Sequence, residues 1–322
     1  MASANHVVGI DLGGTNMQIG VVGADNKVVG RTKLKTKPDK GGDAVVERMI
    51  EGVEEACSEA SVKVAELRGI GIGAPGAIDM EAGIVLEAPN LRWNHYPLAE
   101  RLSKGLAGKP VLVDNDVNVA VYGENRLGAG GNARNLLGVW LGTGVGGGLI
   151  LNGSLYYGEK GSAGEIGWTI LFPGAPLGWR TLEQNCSRKH VSDRLKRLIA
   201  ANYESRLHDI AGGPDAAIGS SDIAEAYQSG DALVREVLDE AAEFLGTAIA
   251  NCCTLLSLDR VILGGGLGEA MGQPFADRVA EHARRHVFPR TLQSLSVLCT
   301  KLADDAGLLG AALLAREKFV GR

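Results

Sequence analysis

Leu136–Leu151 reads LLGVWLGTGVGGGLIL, and the way this stretch is taken decides the fold. Its six glycines rule out a membrane-spanning helix, which needs about 20 consecutive, mostly apolar residues. Gly142, Gly144 and Gly147 do match the spacing of a dinucleotide-binding loop. Such a loop must open a helix directly, so that the helix N-terminus faces the pyrophosphate. Here Leu149-Ile150-Leu151 carries on as a strand. The stretch is therefore two strands joined by a tight glycine turn.

The chain opens on the same figure. His6–Asp11 is a β-branched run leading into Leu12-Gly13-Gly14-Thr15, and Gln18–Val22 follows at once as a second strand. Lys27–Leu34 reads as a third strand after a turn at Asp25-Asn26, giving an antiparallel meander. Val45, Met49, Val53 and Cys57 recur four apart, with Glu47, Glu51, Glu54 and Glu55 largely opposite, which predicts a helix over Asp43–Ala60. Strands are expected at Leu67–Ala74 and Lys109–Asp114, then a helix from Asn118 to Asn125. Beyond Leu151 come a long helix near Asp231–Leu256, a strand Arg260–Leu263 ending in Gly264-Gly265-Gly266, a strand near Leu295–Cys299 and a helix Asp305–Lys318. Two halves that begin alike argue for an α/β fold duplicated in outline, the halves facing each other across a cleft. The boundary falls near Val117–Ala120.

Length and composition agree. At 322 residues, two domains are expected from the usual size of roughly 100–200 residues each. The 33 basic and 38 acidic residues leave a net charge of -5, the wrong sign for a chain devoted to phosphate backbones, so no nucleic-acid partner is expected. No membrane partner is expected either. Met1–His6 holds no charged stretch followed by an apolar run, so a secretory signal is not expected. The five cysteines, at 57, 186, 252, 253 and 299, form no C-x-x-C pair and suit a reducing, cytoplasmic setting.

Glycine is abundant, 46 residues, and it clusters after apolar runs rather than in linkers. A glycine-rich turn lets backbone N–H groups approach an oxyanion closely because no Cβ intervenes. Three such turns, Asp11–Thr15, Gly142–Gly148 and Gly264–Gly266, each abut an apolar strand, and together they point to a nucleotide held by hairpin turns. A P-loop is excluded, since Gly108-Lys109-Pro110 lacks both the upstream glycine and the Ser/Thr. Asp11, at the lip of the first turn, suits Mg²⁺ with its retained waters; a turn-capping aspartate is the other reading. Thr15 and Thr143 can donate hydroxyls to phosphate oxygens.

Asp114-Asn115-Asp116-Val117-Asn118 sets two carboxylates and two carboxamides between a strand and a helix. Helix capping accounts for one of them, Asp114 or Asn115. Phosphoryl transfer to an alcohol needs a base on the hydroxyl, and Asp116 is the candidate. Asn115 and Asn90 both donate and accept, which suits the hydroxyls of a polyol.

Taken together, Val8–Thr15, Gly71–Gly76, Asp114–Asn118, Leu141–Gly148, Gly164–Gly167 and Leu263–Gly266 resemble, in order and across nearly the whole chain, the motifs of the ROK (repressor, open reading frame, kinase) family. The resemblance implies an actin-like, ribonuclease H-like two-domain α/β ATPase fold that phosphorylates a hexose with ATP and Mg²⁺, glucose being the first substrate to try. It implies a smaller domain of residues 1–118 plus 305–322, the last helix packing back, and a larger one of 119–304. It places Asp116 as base. Gly76, Asn90, Asn115, Asp116, Glu165, Trp168 and Glu183 fall on the sugar side. Asp11, Gly13, Gly14, Thr15, Asn16, Thr143, Gly144, Gly264, Gly265 and Gly266 fall on the nucleotide side, Asp11 serving Mg²⁺. A homodimer is the family expectation.

One motif departs from the family. The histidine that follows Gly-Glu-x-Gly is Trp168 here, and Gly174, Pro176 and Thr181 stand where three cysteines would complete a structural zinc site. None of these is a zinc ligand, and Cys186 with His190 is too few, so no zinc is expected. Aromatic and proline packing among Trp168, Phe172, Pro173, Pro176 and Trp179 is expected to order the segment instead. Because that histidine also touches sugar in the family, fructose, mannose, allose, N-acetylmannosamine and N-acetylglucosamine stay open as substrates, and polyphosphate stays open as donor. A sugar-responsive regulator would need a winged helix-turn-helix ahead of the first turn, which begins only ten residues in. A catalytically silent sugar binder would have no use for Asp116.

Overall fold

The structure is a computed structural model that describes residues 5–213 and 216–321; most of the Met1–His6 stretch read for a secretory signal lies outside them. The first part of the chain runs β1 (Val7–Leu12), β2 (Asn16–Val22), β3 (Val28–Lys35), α1 (Gly42–Glu59), β4 (Ile70–Ala74), β5 (Ala77–Asp79), β6 (Ile84–Ala88), β7 (Trp93–Tyr96), α2 (Leu98–Gly105), β8 (Val111–Asn115) and α3 (Asp116–Leu127). The second part runs β9 (Leu136–Leu141), β10 (Val145–Leu151), β11 (Ser154–Leu155), α4 (Glu183–Cys186), α5 (Arg188–Ala200), α6 (Leu207–Ala211), α7 (Ser220–Gln228), α8 (Ala232–Leu256), β12 (Arg260–Gly264), α9 (Gly265–His286) and β13 (Ser296–Cys299). The last helix is α10 (Ala306–Phe319).

The duplication expected from the sequence is in the sheets. One five-stranded sheet has the order β3-β2-β1-β4-β8 and the other β11-β10-β9-β12-β13. In each, an antiparallel hairpin closed by a glycine turn is extended by two parallel strands. A small antiparallel sheet, β5-β6-β7, is added to the first part.

The chain divides into two compact units, though not at residue 118. One unit takes the chain up to Gly131, the short segment Tyr157–Ala163 and everything from Asp304 onward; the other takes Asn132–Tyr156 and Gly164–Ala303. The physical reason is α3. Its core-facing residues Val119 and Gly123 lie against α10, where a Cβ on Gly310 would overlap the Val119 carbonyl, so α3 stays with the first sheet.

Packing in the first unit explains glycines that the sequence did not explain as turns. Gly9 in β1 is paired with Gly71 in β4. A Cβ on Gly9 would overlap the carbonyl of Leu308, and one on Gly71 that of Ala311. The backbone of α10 therefore lies directly on the sheet, and only glycine permits that approach. On the other face, Val45, Met49 and Val53 of α1 pack with Ile10, Ile19 and Ile72 into one buried cluster, while Glu47, Glu51 and Glu54 stay exposed. The second unit's core joins Val139, Val261 and Leu263 to Leu245 and Ile249 of α8 and Phe275 and Val279 of α9. Arg31 and Lys33, both exposed on β3, face Asp305 and Asp304 at 3.2 and 3.7 Å.

Two expectations are corrected here. Gly264–Gly266 is no hairpin turn; it is the passage from β12 into α9, Gly264 being the N-cap. Gly265, at φ 77°, is pressed against the backbone of Leu141, so a tertiary contact rather than a turn fixes its identity. The segment after Trp168 is held mainly by its backbone. Ile170 and Thr181 form an antiparallel bridge, Leu171 N–H donates to the Arg180 carbonyl at 2.8 Å, and Arg180 Nε donates to the Ala175 carbonyl at 2.6 Å. Among the described residues, the ring contacts of this segment are Phe172 edge-on to Phe244 and Arg197 over Trp179; Trp168 is 66% exposed.

Candidate active site

The first unit carries Gly76, Asn90, Asn115 and Asp116 together with Asp11 and the Gly13–Asn16 turn. Asn115 is the N-cap of α3, its Oδ1 accepting from Val117 N–H and Asn118 N–H at 2.9 and 3.2 Å, as helix capping requires. Its Nδ2 donates to the Gly76 carbonyl at 3.1 Å. Gly76 can be nothing else, because its φ is 95° and a Cβ would overlap the Glu87 carbonyl. So Gly76 holds Asn115, and Asn115 holds the first turn of α3, whose first residue is Asp116. Asn115 retains one amide hydrogen for a ligand. Asp116 is half-buried, with Oδ1 accepting from Val117 N–H at 2.9 Å.

Asp114 is not available for chemistry. It is buried, with Oδ1 accepting from Asn115 N–H (2.7 Å) and Asn118 Nδ2 (3.3 Å) and Oδ2 accepting from the Tyr157 hydroxyl (2.7 Å). Burial raises its carboxyl above the usual range, and these hydrogen bonds oppose the rise. The two aspartates of the motif thus divide their work: Asp114 is braced inside and Asp116 is presented.

The first glycine turn lies in the same unit. Gly13 N–H donates to the Asn16 carbonyl at 3.0 Å. Thr36, fully buried, holds the turn from behind, its hydroxyl donating to the Gly13 carbonyl at 2.6 Å and its N–H to the Thr15 carbonyl at 2.9 Å. Asn90 is exposed beside the turn, its Cβ 3.3 Å from where a Cβ on Gly14 would stand. Asp11, at the end of β1, sits against Gly307 in the first turn of α10, whose position a Cβ would crowd at 2.8 Å from Asp11 Cγ. The first glycine turn, Asn90 and the Gly76-Asn115-Asp116 junction are therefore all carried by the first unit.

The second unit repeats the turn with different company. Gly142 N–H donates to the Gly144 carbonyl at 2.9 Å. Glu183, the first residue of α4, lies against Gly144, and its Oε2 accepts from Val145 N–H at 2.9 Å. Glu165 is exposed, and its carboxyl is raised by loss of water on its protein side and by the charge of Glu183. Two carboxylates expected on the sugar side therefore feel each other beside the second turn, which carries Thr143.

Among the described residues no group of three His, Cys, Asp or Glu side chains is placed to hold a metal ion. Cys186 is buried with its thiol toward the Ala241 carbonyl at 3.6 Å, and burial pushes that thiol up. His190 turns its Nδ1 to Ser187 Oγ at 2.7 Å, so the two do not share a site.

Residues 7–318 match the ROK family profile. The chain is 32% identical over 319 residues to a glucokinase of Halalkalibacterium halodurans, spanning 97% of this chain and 95% of that protein. It is 31% identical over 323 residues to a glucokinase of Thermotoga maritima, spanning 98% of each. Among solved structures it is similar to a ROK family glucokinase from Streptomyces griseus in complex with glucose and AMPPNP, with 31% identity, a TM-score of 0.84, and coverage of 97% of this chain and 100% of that one. The architecture is accordingly the actin-like ATPase fold of the ROK kinases. A profile match running from β1 to the last turns of α10 leaves one assignment: the chain belongs to the ROK family.

Proposed function

We propose that this chain is an ATP-dependent sugar kinase that phosphorylates glucose at its 6-hydroxyl. The observation that carries the reading is the junction at Asn115-Asp116, where a carboxylate is presented by a capped helix start in the same unit as a braced glycine turn. Full-length identity of 31–32% to glucokinases supports glucose over other hexoses.

In this reading Asn90 and the remaining Asn115 amide hydrogen orient the sugar, and Asp116 accepts the proton of the reacting hydroxyl. The sugar oxygen forms its bond to the γ-phosphorus as the bond from that phosphorus to the ADP oxygen breaks. The proton ends on Asp116 and the phosphoryl group on the sugar. The rest of the rate comes from alignment and charge stabilisation. Glu165 and Glu183 accept hydrogen bonds from other sugar hydroxyls.

Mg²⁺ fits what is present. It binds through one or two carboxylates plus phosphate oxygens and water rather than a protein cage, and Asp11 offers one such carboxylate beside the first turn. When bound it neutralises phosphate charge. A coupled ADP-release assay over glucose, fructose, mannose, allose, N-acetylmannosamine and N-acetylglucosamine tests the proposal. Glucose is expected to give the highest kcat/KM; an N-acetylated amino sugar in that place would overturn the assignment.

A further inference from the structure

The second glycine turn has a neighbour that no motif identifies. Ser187 caps α5, accepting from His190 N–H at 3.3 Å, and Arg188 is the first residue of that helix. Arg188 N–H donates to the Gly142 carbonyl at 3.0 Å, so the residue is fixed to the turn by its own backbone. Its guanidinium then reaches over the turn, Nη2 lying 3.4 Å from Thr143 Oγ1.

Charge explains why a cation belongs there. Glu183 accepts from Val145 N–H on the same turn, so a carboxylate already occupies one flank of the place expected to receive phosphates. A polyanion arriving there would be repelled unless a positive charge offset it. Three other cations of α5 are engaged elsewhere: Lys189 with Asp193, Arg194 with Glu240, and Arg197 over the Trp179 ring. Among the described residues Arg188 forms no ion pair, and the polar contact of its side chain is to the Thr143 hydroxyl. A planar guanidinium donates two parallel hydrogen bonds to phosphate oxygens, which a lysine cannot do.

We propose that Arg188 grips a phosphate of the phosphoryl donor at the Gly142–Gly144 turn and thereby sets affinity for the donor, independently of the sugar. The inference rests on the kinase reading above.

The test uses the full chain and two readouts. Losing a charge-assisted hydrogen bond costs about 10- to 100-fold in affinity, so Arg188→Ala is expected to raise the KM for MgATP by that factor and to leave the KM for glucose unchanged. Calorimetry with AMPPNP and with adenosine supplies the second readout. The variant is expected to lose affinity for AMPPNP and to keep that for adenosine, and Arg188→Lys to recover part of the loss. An unchanged KM for MgATP, or equal losses for AMPPNP and adenosine, would overturn the phosphate contact. Failure of the kinase reading itself looks different, because the unmutated chain would then turn over no sugar.

Discussion

The two glycine turns are the same device placed in different surroundings. Each closes an antiparallel hairpin at the head of a five-stranded sheet with the same order and sense. The first is braced from behind by a neutral hydroxyl, Thr36, and stands beside Asn90, in the same unit as the Asn115-Asp116 junction. The second is flanked by charge, Glu183 on one side and Arg188 on the other. The turn is common to both halves, and what distinguishes them is what other connections bring beside it: neutral side chains in one, a carboxylate and a guanidinium in the other. The sheets differ too. Gly9 opposes Gly71 in the first, so that α10 can rest on the backbone, whereas Gly138 opposes Ile262 in the second.

If reaction chemistry resides in the first unit, Asp116→Asn has the largest effect. Turnover of glucose is expected to fall by roughly 10²–10⁴-fold, the usual scale for losing a general base, with glucose affinity kept in calorimetry. Normal turnover would erase the contrast between the halves. Next comes the close approach of α10. Gly71→Ala is expected to destabilise the first unit by about 1–3 kcal/mol, the range for overpacking a tight core, seen as a lower urea midpoint. No loss would mean that α10 does not lie on β4 as described.

A smaller effect is expected behind the first turn. Thr36→Val removes one hydroxyl hydrogen bond to Gly13 and should lower stability by about 1 kcal/mol, with a raised KM for MgATP. A change in the KM for glucose alone would assign the turn to the sugar. The smallest effect concerns charge at the second turn. Glu183 helps to hold the Glu165 carboxyl above its ordinary range, so Glu183→Gln should move the Glu165 titration, followed by NMR, to lower pH. A midpoint that stays in place would separate the two carboxylates.

Much of this was legible in the sequence. The strand-turn-strand reading of Leu136–Leu151 excluded a Rossmann loop, because such a loop must open a helix directly and here a strand follows the glycines. Gly264–Gly266 was misread because three glycines after a strand look alike whether a hairpin or a helix follows; what decides is packing against Leu141. The supporting residues were invisible for a related reason. Thr36 reaches Gly13 across 23 positions, Tyr157 reaches Asp114 across 43, and Arg188 reaches Thr143 across 45. Threonine, tyrosine and arginine at such separations carry no local pattern. The one signal available was the polar density of Asp114–Asn118, which exceeds what capping needs and marks a junction that must be braced.

The central claim is most directly tested by a crystal structure of the chain with glucose and AMPPNP. The account predicts a carboxylate oxygen of Asp116 within about 2.6–3.2 Å of the 6-hydroxyl, the reach required of a general base, with phosphate oxygens against the Gly13–Thr15 turn. A sugar bound with no hydroxyl near Asp116, or a triphosphate lying away from that turn, would contradict it.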